Sequence, residues 1–169
     1  MSKDFWAEKY RLKDKDENFE SPSDKYSLTI QYFGTGPGTW NVSKGIARKG
    51  SKIVAEVNRN HSCFWYEWVE DHPNGNDYLL CGEDYQGQTI INLTEERVIN
   101  YLPEEAKNGF GFCWINVDGS EKTKLIVEGC IWAAPYEIIE YDFSDPENPP
   151  FAILSRKYDD GDWDEEDDD

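Results

Sequence analysis

The chain has 169 residues, enough for one domain that buries roughly two-thirds of its unfolded surface. Aromatic residues make up 15% of it, with 7 Trp and 10 Tyr, which excludes a disordered chain despite 31% charged residues. The net charge of −18 argues against nucleic acid backbones and anionic membranes as partners and leaves a protein or a small polar ligand.

Taken in chain order, Phe5 to Leu12 places apolar residues at helical spacing and predicts a short amphipathic helix of two turns. Lys13 to Glu20 is charged and reads as a loop, so residues 1–20 are expected to be a helix and loop ahead of a single β domain over 21–158. The run Ser21-Pro22-Ser23-Asp24-Lys25 is turn chemistry. Tyr26, Leu28 and Ile30 then alternate with Ser27, Thr29 and Gln31, the pattern of a half-buried strand. Strands near Trp40 to Arg48 and Lys52 to Val57 complete an antiparallel meander around a Lys49-Gly50-Ser51 turn. This first unit lacks a clear opening strand.

The pattern then repeats. Phe64, Tyr66 and Trp68 alternate, an Asn74-Gly75 step turns the chain, and Tyr78-Leu79-Leu80-Cys81 is a short buried strand. Thr89 to Leu93 and Arg97 to Leu102 follow as strands. Phe110, Phe112 and Trp114 match Phe64, Tyr66 and Trp68 at an offset of 46 residues, and Leu125 to Gly129 match Tyr78 to Gly82 at 47. Tyr136 to Phe143 and Phe151 to Arg156 supply the last two strands.

The fold class read from this is mainly β: propeller-like repeated four-stranded antiparallel meanders, about three units forming an incomplete ring. A β-sandwich or barrel is the alternative. Period and strand count resemble WD-type and TolB-like repeats, and Ser21 to Tyr26 resembles the turn those repeats place between their first two strands. No Trp-Asp ends a third strand, and three units are too few to close a ring, so self-association is one route to closure. The oligomeric state itself is left open. Cys81 to Thr89, Gly109 to Trp114 and Gly129 to Glu137 resemble recurring motifs in a family of uncharacterised microbial proteins. That resemblance implies a shared fold over about Ser21 to Pro150 and transfers no catalytic role.

Four cysteines, Cys63, Cys81, Cys113 and Cys130, form no C-x-x-C pair and sit in apolar runs, so buried reduced thiols are expected. No signal-peptide pattern occupies the first 20 residues and no stretch approaches the ~18 apolar residues that span a bilayer, so a cytoplasmic location is expected.

The candidate site lies in the loops between second and third strands. They run from Gly34 to Trp40, from Gly82 to Gln88, and from Gly129 to Pro135. Each joins glycines to an aromatic, a combination suited to close approach of a ligand. Trp40, Tyr85, Gln88, Trp132 and Tyr136 are the expected ligand-binding residues, with Arg59, at a strand end, as a basic group for an anionic ligand. The leading expectation is a non-enzymatic binding or protein-interaction module without cofactor or metal.

An alternative is a hydrolase-type enzyme using the carboxylates Glu83, Asp84 and Glu128. His61 and Cys63 share one strand face but read as a packed thiol beside a histidine, and His72, before Pro73, reads as exposed. The segment 159–169 holds 9 of the 35 acids and no base. It is expected to be a disordered acidic tail, with Trp163 as an anchor. A third reading therefore makes the chain an acidic partner of a basic protein.

Overall fold

Period-2 alternation becomes strand throughout. The computed structural model describes residues 4–83, 87–104, 107, 110–117, 122–131 and 135–158. Sheet one joins Glu17–Glu20 (β1), Tyr26–Phe33 (β2), Val42–Lys49 (β3) and Lys52–Arg59 (β4) in chain order. Sheet two joins Tyr66–Val69 (β5), Tyr78–Glu83 (β6), Gly87–Asn92 (β7) and Arg97–Tyr101 (β8). Sheet three joins Phe110–Val117 (β9), Lys124–Ile131 (β10), Glu137–Asp142 (β11) and Ile153–Tyr158 (β12). Every pairing is antiparallel between consecutive strands, so the described residues form three four-stranded meanders.

The three sheets stack face to face with sheet two in the middle. Tyr26, Leu28, Ile30, Ala55 and Val57 of sheet one pack against Leu79, Cys81 and Ile91 of sheet two. On its other face, Tyr78, Leu80 and Ile90 pack against Leu125, Val127, Ile139 and Tyr141 of sheet three. This explains the unbroken apolar run of β6: a strand buried on both faces needs no polar alternation, and all four residues from Tyr78 to Cys81 are fully buried. Each large side chain so buried stabilises the fold by about 1.5–3 kcal/mol. Phe19 of β1 and Tyr66 of β5 meet ring to ring at 5.2 Å, and β9 lies against β5 and β6, so the opening strands gather on one side.

Two parts of the N-terminal expectation change. The helix is replaced by two single 3-10 turns, Glu8–Tyr10 and Lys13–Lys15. Leu12 N–H donates to Tyr32 O (2.8 Å), Gly34 N–H to Tyr10 O (2.9 Å), and the Trp6 indole to Ser43 O (2.9 Å). These bonds to sheet one outweigh a weak local helical preference. The stretch expected as a loop contains β1, which is the opening strand of the first unit.

Carboxylates latch the sheets at the end opposite the candidate loops. Glu70 accepts from Ser21 Oγ (2.8 Å), the Ser23 amide (2.8 Å) and the Ser23 hydroxyl. Asp77 accepts from the Asp71 amide (2.9 Å), the Tyr26 hydroxyl (3.1 Å) and Lys25 Nζ (3.3 Å). Glu147 joins sheets two and three, accepting from Tyr78 (2.9 Å) and Asn92 (2.6 Å) and pairing with Arg97. The turns here repeat a backbone device: Asp24 and Lys122 both adopt left-handed φ, 59° and 58°, two residues before β2 and β10.

Candidate functional site

The β2–β3 loop, the β6–β7 hairpin and the β10–β11 connection share one end of the molecule. Arg59, opposite Ser43 at the start of β3, reaches Gly82 at the end of β6, which aligns the first two. His72, before β6, meets the Phe143 carbonyl just beyond β11 at 3.1 Å, which places the start of β11 at the loop end.

Trp40 stands on the β2–β3 loop with 78% of its surface exposed. Its indole lies 5.8 Å from the His61 imidazole, tilted by 32°. His61 is held in place: its carbonyl accepts from Ser43 Oγ (2.7 Å) and its Nδ1 from the Cys63 amide (3.0 Å). The loop beneath Trp40 is tied by Thr35 Oγ1, which donates to the Trp40 carbonyl at 2.7 Å.

Beside this pair opens a cavity of about 510 Å³ lined by Asp14, Lys15, Asp16, Glu17, Tyr32, Asn41 and Ser62. Asn41 and Ser62 are the chain neighbours of Trp40 and His61. The Tyr32 hydroxyl donates to Glu17 Oε2 at 2.8 Å, and burial, with the adjacent Glu17 charge, pushes it up to about 12. It stays protonated and remains a donor over the physiological range. Asp16 is engaged by Arg11. The cavity offers mostly acceptors, so it suits a ligand that brings hydroxyl or amine donors.

Other expected site residues sit elsewhere. Tyr136 is exposed at the loop end, before β11. Tyr85, Trp132 and Asp84 lie outside the described residues. Gln88 is not on a loop but inside β7, opposite Tyr101, because β6 and β7 run on to pair Glu83 with Gly87. It is 3% exposed, and neither polar atom of its amide has a hydrogen-bond partner among the described residues.

Arg59 is buried and committed to the fold. It donates to Gly82 O (2.9 Å), Cys81 O (2.9 Å), Asn58 O (3.0 Å) and Thr89 Oγ1 (3.0 Å), and lies 5.8 Å over the Phe64 ring. Glu128 is on the outer face of sheet three, opposite in facing to Val127. Among the described residues, no three His, Cys, Asp or Glu side chains gather as a metal site.

Two other expectations are corrected. His72 is buried, not exposed: it stacks edge-on against Tyr78 (5.5 Å) and Phe143 (5.9 Å). Cys63 is exposed rather than packed, Cys81 is buried and Cys130 half-buried, and none of the three is in a disulfide. Sequence reading missed His61 as the partner of Trp40, and Asp14, Asp16, Glu17 and Tyr32 as the lining of the cavity that Asn41 and Ser62 share. The only signal was the alternation that puts Tyr32 at the end of β2.

No family model matches the chain. A viral protein is similar to it. This uncharacterized protein of Acanthamoeba polyphaga mimivirus is 38% identical over 144 residues, which cover 83% of this chain and 55% of the relative. The chain thus spans just over half the length of that relative. No helix among the described residues is long and apolar enough to cross a membrane.

Proposed function

We propose that the protein is a non-enzymatic binding or protein-interaction module whose ligand face is the loop end of a propeller-like arc. The observation that carries this reading is Trp40, a 78% exposed indole set against His61, with their chain neighbours Asn41 and Ser62 lining a polar cavity. An exposed tryptophan costs solvation, and a face of this kind returns that cost when a partner covers it. Tyr136 belongs to the same end, and Tyr85 and Trp132 lie outside the described residues. Arg59 drops out because it is buried and bonded to Gly82, Cys81 and Thr89, and Gln88 drops out because it is buried in β7.

The partner is a protein or a small polar ligand rather than a polyanion, since a chain of charge −18 repels phosphate backbones. The same reading takes the module to be cytoplasmic.

The test uses chain labelled with 5-fluorotryptophan and titrated with neutral disaccharides, free amines and a lysine-rich peptide. Binding at the loop end shifts the Trp40 resonance, and Trp40→Ala abolishes binding without moving the thermal midpoint. A Trp40 resonance that none of these probes shifts overturns the reading.

A further inference from the structure

The polar cavity has a lining of two unlike parts. The run Asp14-Lys15-Asp16-Glu17 is charged, whereas Tyr32, Asn41 and Ser62 are neutral. Within the charged part the signs nearly cancel. Arg11 engages Asp16, and Lys15 offsets one more acid, which leaves a single negative charge. An ammonium ligand would meet Lys15, and a carboxylate or phosphate would meet Asp14 and Glu17. A ligand of one sign is therefore opposed by part of the lining whichever sign it brings. A neutral hydroxyl both donates and accepts, so it can use both signs.

We infer that this cavity takes a neutral saccharide, with Trp40 as the platform for one of its rings. This rests on the loop-end binding reading and names its ligand. Each lining group then has a part. Lys15 donates to sugar hydroxyls, Asp14 and Glu17 accept from them, and Asn41 and Ser62 do both. The Tyr32 hydroxyl gives its proton to Glu17 Oε2 at 2.8 Å, so its oxygen is left to accept. The volume of about 510 Å³ falls inside the roughly 300–1,000 Å³ of small-molecule sites.

Trp40 supplies what the cavity lacks. A pyranose carries a face of C–H groups as well as its hydroxyls, and every residue lining the cavity has a polar head. Trp40 is bonded directly to the lining residue Asn41, with their Cα atoms about 3.8 Å apart. Its indole is 78% exposed, and the negative face of such a ring attracts weakly positive C–H groups. The ring is ordered in advance. The His61 imidazole lies 5.8 Å from it, and Thr35 Oγ1 holds the Trp40 carbonyl at 2.7 Å. Such preorganisation lowers the ordering cost of binding. A disaccharide satisfies both places, with one ring in the cavity and the next on the indole.

Fluorine spectra of the full chain labelled with 5-fluorotryptophan test this. The probes are cellobiose and N,N′-diacetylchitobiose, which are neutral, and chitobiose and a lysine-rich peptide, which are cationic at about pH 6. The neutral sugars shift the Trp40 resonance, with an affinity that changes less than about twofold between roughly 0.02 and 0.5 M salt. Lys15→Met, at an exposed position, weakens them about tenfold, and Tyr32→Phe weakens them about threefold. A resonance that only the cationic probes shift, with binding that falls as salt rises and improves in Lys15→Met, overturns the saccharide assignment and leaves the binding module standing. Neutral sugars that bind wild type and Lys15→Met equally overturn the cavity as their site. A resonance that no probe shifts overturns both readings.

Discussion

Arg59 donates from Nε to the carbonyl of Gly82 at 2.9 Å, joining the last strand of sheet one to the second strand of sheet two. The same guanidinium fork satisfies the Cys81 carbonyl and Thr89 Oγ1. A residue that reads in sequence as a surface cation is therefore a staple between sheets. Arg59→Met leaves those acceptors unpaired in a buried position and should cost about 2–4 kcal/mol in urea unfolding. Arg59→Lys should recover only part of this, because an ammonium cannot span the acceptors as a planar fork does.

Phe64 lies between that guanidinium and the backbone of β3. A Cβ on Gly45 would stand 2.2 Å from Phe64 Cζ. Gly45→Ala should thus destabilise by about 1–3 kcal/mol through overpacking. Gly45→Ala combined with Phe64→Leu should recover much of the loss. A thermal midpoint for Gly45→Ala equal to the wild type would show that the ring has room to move.

Burial pushes the Cys81 thiol up to about 12, with the Arg59 charge opposing only weakly. Native protein at pH 8 should therefore leave Cys81 unmodified by iodoacetamide while exposed Cys63 reacts. Mass spectrometry of the alkylated peptides reads this directly, and Cys81 should label only when denaturant is added.

Burial would raise the Asp77 carboxyl, but hydrogen bonds from the Asp71 amide, Tyr26 and Lys25 outweigh it and hold the group below its ordinary range. A depressed carboxylate stabilises the fold at pH above its unfolded value and loses that contribution as pH falls through the folded one. The wild type should accordingly lose stability below about pH 4. Asp77→Asn should be less stable at pH 7, by on the order of 1–2 kcal/mol, with a flatter acid limb in thermal melts.

The strands were legible because alternation follows burial. Tyr26, Leu28 and Ile30 face sheet two, and the offset of 46–47 residues maps β5 onto β9 and β6 onto β10. β1 was not legible: Glu17-Asn18-Phe19-Glu20 carries one apolar residue, and its pairing with β2 is a tertiary decision. Of the site, Trp40 and Tyr136 could be read as exposed loop aromatics. Gln88 could not be placed, because polar residues near glycines read as a loop even where strand pairing continues. The cavity beside Trp40 was hidden for a different reason: four of its lining residues precede β2, in a stretch whose path is set by contacts with sheet one.

Sheet two packs against a sheet on each face, whereas sheets one and three each pack against one other sheet. Removing an outer sheet uncovers one seam; removing the central one uncovers two. Pulled by its ends, the molecule should therefore unravel in steps, shedding a terminal sheet at lower force and holding the remaining pair until a second rupture.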